Sequence, residues 1–144
     1  MIEQDTVRLL RECDAGVKMG MEAIDEVSGR IQCEAFRRVL AESRRRHDEL
    51  DAEIQRALRR FQDDGKEPGL MAKGMSWVKN NALLTVKPGD ETIADLMTDG
   101  CNMGVKSLHK YLNEYKAADE SSKEIAKKLV NLEQKLAVDL RGYL

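Results

Sequence analysis

A short stretch of this chain returns on itself: Gly16-Val17-Lys18-Met19-Gly20 recurs 84 residues later as Gly100-Cys101-Asn102-Met103-Gly104. Ile24 then matches Leu108 in the same frame. A period of that length is too long for a solenoid repeat and about right for one helical hairpin followed by a second. The echo thus predicts two hairpins packed into one bundle, with Val17 and Cys101 at equivalent mid-helix positions.

Composition agrees with long helices. Aromatic residues are 4% and prolines two, against 35% charged residues, a profile that disfavours sandwiches and barrels. At 144 residues the chain is expected to be a single domain, 1–144, with a core of its own. A net charge of −2 gives no reason to expect a dedicated nucleic-acid binder. The cysteines Cys13, Cys33 and Cys101 are odd in number and lack CxxC spacing, so neither a disulfide framework nor a structural zinc site is indicated. Met1–Asp5 has no basic or apolar leader character, and no run approaches the roughly 18 apolar residues of a membrane span. A cytoplasmic protein without membrane association is expected.

Hydrophobic spacing places the first helix from about Asp5, as N-cap, to Ser28, with Leu10, Cys13, Val17, Gly20 or Met21, Ile24 and Val27 on its inner stripe. Ser28-Gly29-Arg30 is the turn. The second helix runs to about Asp64 through Phe36, Leu40, Ser43, His47, Leu50, Ile54, Ala57 and Phe61. Ser43 and His47 interrupt an otherwise apolar stripe, the kind of local inconsistency that marks function or strain. The third helix carries Ile93, Met97, Gly100 or Cys101, Gly104, Leu108, Tyr111 and Tyr115. The fourth starts near Asp119 or Ser121 and carries Ile125, Leu129, Leu132, Leu136, Leu140 and Tyr143.

Between the hairpins lies a connection of about 65–91, far longer than the ~2–8 residues that join antiparallel neighbours. An amphipathic piece at Leu70–Leu84 would reach ~22 Å as a helix, enough with extended flanks to travel a ~45 Å bundle. Helices 2 and 3 are therefore expected to be parallel, as in ferritin-like bundles.

The segment Cys13-Asp14-Ala15-Gly16 followed by Gly20, the crossover pattern Gly74-x-x-Trp77-x-x-Asn80 and the pair Asp99-Gly100 together resemble a bacterial ferritin-like four-helix-bundle family of uncharacterised function. The resemblance spans essentially the whole chain. It implies an all-α ferritin-like bundle with a short helix in the crossover, and in some relatives a metal site or a stress association.

The metal site is testable residue by residue. A di-iron or di-manganese carboxylate centre takes Glu from two helices and Glu-x-x-His from the other two. Here Val17-Lys18 and Cys101-Asn102 stand after the glycines. His47 is preceded three residues earlier by Arg44, and the 84-residue frame pairs His47 with Asn131 and Arg44 with Lys128. One ligand of six remains, so no catalytic, cofactor or metal residues are assigned. The expected protein is non-enzymatic, an oligomeric binding or stress-associated module. The alternative is a degenerate iron, manganese or zinc site, or a redox site, on His47 with a nearby Asp or Cys.

Individual residues carry two readings each. His47 is either a lone ligand or a core histidine hydrogen-bonded to Ser43 or a crossing side chain. With Cys101, Asp99 and Asp14, these two form the candidate polar site. Cys13 and Cys101 are expected as small buried hydrophobes, and Asp14 and Asp99 as exposed partners of Lys or Arg. Gly16, Gly20, Gly100 and Gly104, each about 1 kcal/mol less favourable than Ala inside a helix, point to close helix packing, or else to a ligand cavity beside Met19, Met103 and Trp77. Trp77 and Met75 are expected at the bundle flank or a homodimer contact. The arginines of helix 2, Arg37-Arg38, Arg44-Arg45-Arg46 and Arg59-Arg60, are interleaved with acids and read as a solvated or protein-contacting face rather than a nucleic-acid surface.

Overall fold

The computed structural model describes residues 2–63, 65 and 89–144. The expectations for Met75, Trp77 and the short crossover helix fall on 66–88 and lie outside the described residues. Among those described there are four long helices and no strand: α1 (Ile2–Ser28), α2 (Glu34–Arg60), α3 (Asp90–Glu114) and α4 (Glu120–Leu140), followed by a 3-10 turn at Arg141–Tyr143. α1 and α2 form one hairpin and α3 and α4 the other; α2 lies beside α4, and α1 beside α3.

The first expected boundary is corrected. α1 starts at Ile2, so Asp5 is inside the helix rather than its N-cap. No helix breaker separates Ile2 from Asp5, and the acids Glu3 and Asp5 favour the positive end of the helix dipole. The Asp5 carboxylate instead accepts the Ala117 N–H at 3.0 Å, in the turn between α3 and α4. Asp119 is the N-cap of α4, its side chain accepting from the Ser122 N–H at 2.8 Å.

These turn contacts fix the topology. Asp90, at the start of α3, accepts the N–H groups of Gln32 and Cys33 at 2.9 and 2.8 Å, so α3 begins where α2 begins. Thr6, at the start of α1, accepts the Asp119 N–H at 2.8 Å, so α4 begins where α1 begins. α2 and α3 are therefore parallel. The two contacts are also counterparts of each other: Thr6 and Asp90 are 84 residues apart, and each satisfies the N-cap backbone of the opposite hairpin's second helix. Groups that a lone helix start would leave unpaired are thereby bonded.

The core falls into two apolar clusters along the bundle axis. One, near the start of α1, gathers Leu9, Leu10, Cys13, Val17, Leu50, Ile54, Leu108 and Leu129. The other, near the α1–α2 turn, gathers Ile24, Val27, Phe36, Leu40, Ile93, Leu96, Leu136 and Leu140, with Tyr143 stacked on Phe36 at 4.7 Å. Each such side chain contributes roughly 1.5–3 kcal/mol of transfer free energy when fully buried. Between the clusters the stripe turns polar.

Candidate functional site

The polar layer is built from His47 and Glu133. His47 is fully buried and Glu133 nearly so. His47 Nε2 lies 2.8 Å from Glu133 Oε1, and His47 Nδ1 lies 2.7 Å from the Ser43 carbonyl oxygen one turn back. A carbonyl oxygen only accepts, so Nδ1 carries a proton. Burial on its own would lower the His47 pKa, but the hydrogen bond and charge of Glu133 outweigh it and, with the Ser43 carbonyl, raise it. Below that raised value the ring is an imidazolium donating at both nitrogens, with Glu133 as its counter-ion. The Ser43 hydroxyl sits 3.4 Å from Nδ1.

Cys101 completes the cluster, its thiol hydrogen-bonding Glu133. Burial first, and then the neighbouring carboxylate, push that thiol far above its ordinary pKa, which keeps it protonated and a weak nucleophile. Cys13, buried in the other cluster, is pushed up to about 12 by burial and then by Glu12 and Asp14. All three cysteines are free thiols.

Glu133 is the residue that the 84-residue frame misses. That frame pairs His47 with Asn131, which is exposed, whereas His47 and Glu133 are 86 residues apart. An offset of 86 also pairs the buried Leu40, Ser43, Leu50 and Ile54 with the buried Ala126, Leu129, Leu136 and Leu140. Two extra residues between the inner stripe of α3 and the start of α4 shift the second half of the repeat. The signal was present in the sequence: Glu133 is a lone charge spaced four after Leu129 and three before Leu136. His47 and Glu133 are therefore counterparts in the repeat and meet at the centre of the bundle.

The glycines surround this pair. A Cβ placed on Gly20 would fall 2.7 Å from His47 Nε2 and 3.6 Å from Glu133 Oε1. On Gly104 it would lie 3.8 Å from Glu133 Oε2, and on Gly16 3.5 Å from Leu129. Among the described residues, these three glycines thus abut side chains of α2 and α4, not the opposing α1 or α3 helix. Between α1 and α3 they border a cavity of about 310 Å³, walled by Met19, Met97, Met103, Gly100 and Leu108 and floored by His47, Glu133 and Cys101. One end is marked by Tyr111, whose hydroxyl hydrogen-bonds Glu12.

Compared with protein-family models, curated proteins and solved structures, the chain has no match.

The remaining candidates separate from the pair. Asp14 is fully buried rather than exposed, but it belongs to another network, with Lys18 Nζ at 3.0 Å and Gln55 Nε2 at 2.7 Å. Gly65, at φ +87°, passes so close that a Cβ there would collide with the Asp14 carboxylate. Asp99 is exposed. So the structure brings His47, Ser43 and Cys101 together around Glu133 and leaves Asp14 and Asp99 outside. The donors gathered here, one histidine, one carboxylate and one thiol, do not fit a di-metal carboxylate centre, which takes four carboxylates and two histidines. Among the described residues no group of three or more His, Cys, Asp or Glu could hold a metal ion.

The arginine series on α2 is internally matched. Glu42 accepts from Arg45 and Arg46, which holds its carboxyl at about 2, and Arg45 also pairs with Glu49. Arg44 reaches across to Asp25 on α1 at 3.0 Å. Among the described residues no helix is long and apolar enough to cross a membrane.

Proposed function

We propose that the protein is a non-enzymatic ligand-binding module on a ferritin-like bundle, and that the cavity between α1 and α3 is its binding site. The observation that carries this reading is the placement of the glycines: they open space above a buried ion pair rather than drawing α1 and α3 together. A volume of about 310 Å³ lies at the lower end of the range for small-molecule sites, and apolar walls with a few convergent polar groups are their usual lining. The ferritin-like arrangement is supported by the parallel α2 and α3 and by the order of neighbours around the bundle. A metal or redox role has less support, because the Cys101 thiol stays protonated and Asp14 and Asp99 lie apart from His47. The expected homodimer contact rests on Met75 and Trp77, outside the described residues, and no part of this reading depends on it.

Titration with benzyl alcohol, followed through methionine methyl resonances, tests the site. Saturable shifts are expected at Met97 and Met103, and Gly104→Leu, which fills the cavity, should abolish them. Shifts that never saturate, or that persist unchanged in Gly104→Leu, would overturn the assignment.

A further inference from the structure

The polar groups around the cavity are unequal in what they have left to offer. The donors at its floor are committed. His47 gives one N–H to the Ser43 carbonyl and the other to Glu133. The Cys101 thiol is bonded to Glu133, and the Tyr111 hydroxyl at the end of the cavity to Glu12. The acceptors are not exhausted. A carboxylate offers about four lone-pair sites, and Glu133 receives from His47 and Cys101, with Oε2 lying under Gly104 on the cavity side. Ser107 supplies a hydroxyl on the wall that serves either way.

Charge points in the same direction. The charge of His47 is offset by Glu133, and a second carboxylate, that of Glu12, lies at the cavity's end, hydrogen-bonded by Tyr111. The thioethers of Met19, Met97 and Met103 and the ring of Tyr111 are polarisable surfaces that favour a cation over an anion. An incoming carboxylate would find Glu133 and Glu12 and few donors able to turn toward it. An incoming ammonium would find an acceptor at the floor and soft walls around its body.

Building on the ligand-binding reading above, we infer that the cavity takes a small apolar molecule with a hydrogen-bond-donating, preferably cationic, head group directed at Glu133. Its volume is about twice the roughly 150 Å³ of a cavity that holds benzene, which suits a body of roughly a dozen heavy atoms.

Three probes that share a benzyl body test it: benzylammonium, benzyl alcohol and phenylacetate, titrated calorimetrically into the wild-type chain near neutral pH. Benzylammonium is expected to bind about tenfold or more tighter than phenylacetate, with benzyl alcohol between them, a gap of about 1.4 kcal/mol or more. In Glu133→Gln the gap should fall to about threefold or less. Phenylacetate binding as tightly as benzylammonium in the wild type overturns the head-group inference while leaving the cavity as a site. If none of the three binds, both fall. The wild-type comparison decides the question even if Glu133→Gln does not fold.

Discussion

The two hairpins meet on two faces, and the faces are built differently. Where α2 meets α4, side chains fill the interface: Ser43, His47, Leu50 and Ile54 look toward Leu129, Leu132, Glu133 and Leu136. Where α1 meets α3, the corresponding positions hold Gly16, Gly20, Gly100 and Gly104, and a cavity of about 310 Å³ remains. The same scaffold thus closes one face and opens the other. The ion pair belongs to both, anchored on the closed face and forming the buried floor of the open one. A packed face is a statement about stability; an opened one, with helix glycines each costing about 1 kcal/mol relative to Ala, calls for a use.

The largest perturbation expected is at the pair. Glu133→Ala leaves the His47 imidazolium buried without its counter-ion, and breaking a buried pair in this way destabilises by about 3–5 kcal/mol. The double variant His47→Leu/Glu133→Leu should recover most of that in a denaturant melt. If the single variant costs no more than the double, the closed face owes nothing to charge pairing.

Next come the glycines, where equivalent positions are expected to respond with opposite sign. Gly20→Ala places its methyl against His47, and the strain of overpacking, about 1–3 kcal/mol, should exceed the gain in helix propensity. Gly104→Ala meets Glu133 only at ordinary contact distance and should stabilise by up to about 1 kcal/mol. Parallel urea melts of the two variants decide it. Destabilisation by both would mean that α1 and α3 need both glycines for their own approach.

The smallest effect is on pH. A histidine whose pKa is raised by folding contributes stability that is fully present below its ordinary value of 6.5 and is lost as pH rises through the raised value. The melting temperature should therefore fall above about pH 6.5 in the wild type and fall less in His47→Gln. Identical slopes would show that the ring is already neutral in the folded chain.

Much of the fold was legible because helix periodicity is a strong, local signal. The inner stripes lie where the spacing of Leu, Ile and Val puts them, except that α2 ends at Arg60, with Phe61 capping it instead of continuing the helix toward Asp64; the long connection foretold parallel α2 and α3. The site was half legible. His47 and Ser43 stood out as polar residues on an apolar stripe, and by the same criterion Glu133 did too. It was overlooked because the glycine echo was carried unchanged past the α3–α4 turn, where two added residues shift the frame. The depth of Asp14 was hidden for a different reason. Its partners Lys18 and Gln55 lie four and 41 residues away, and only packing α1 against α2 shows that a charged residue at that angle is covered. Whether a glycine admits a neighbouring helix or a cavity likewise depends on side chains from elsewhere in the chain.

The meeting of His47 with Glu133 has a consequence for assembly. A chain made of two similar hairpins invites each to pair with a second copy of itself. Two copies of the first hairpin docked about the same axis would set imidazole against imidazole, and two of the second would set carboxylate against carboxylate. Like charges held that close inside a core are costly, so both self-pairings are penalised while the mixed one is rewarded. One unlike pair on the axis thus favours each hairpin choosing the other.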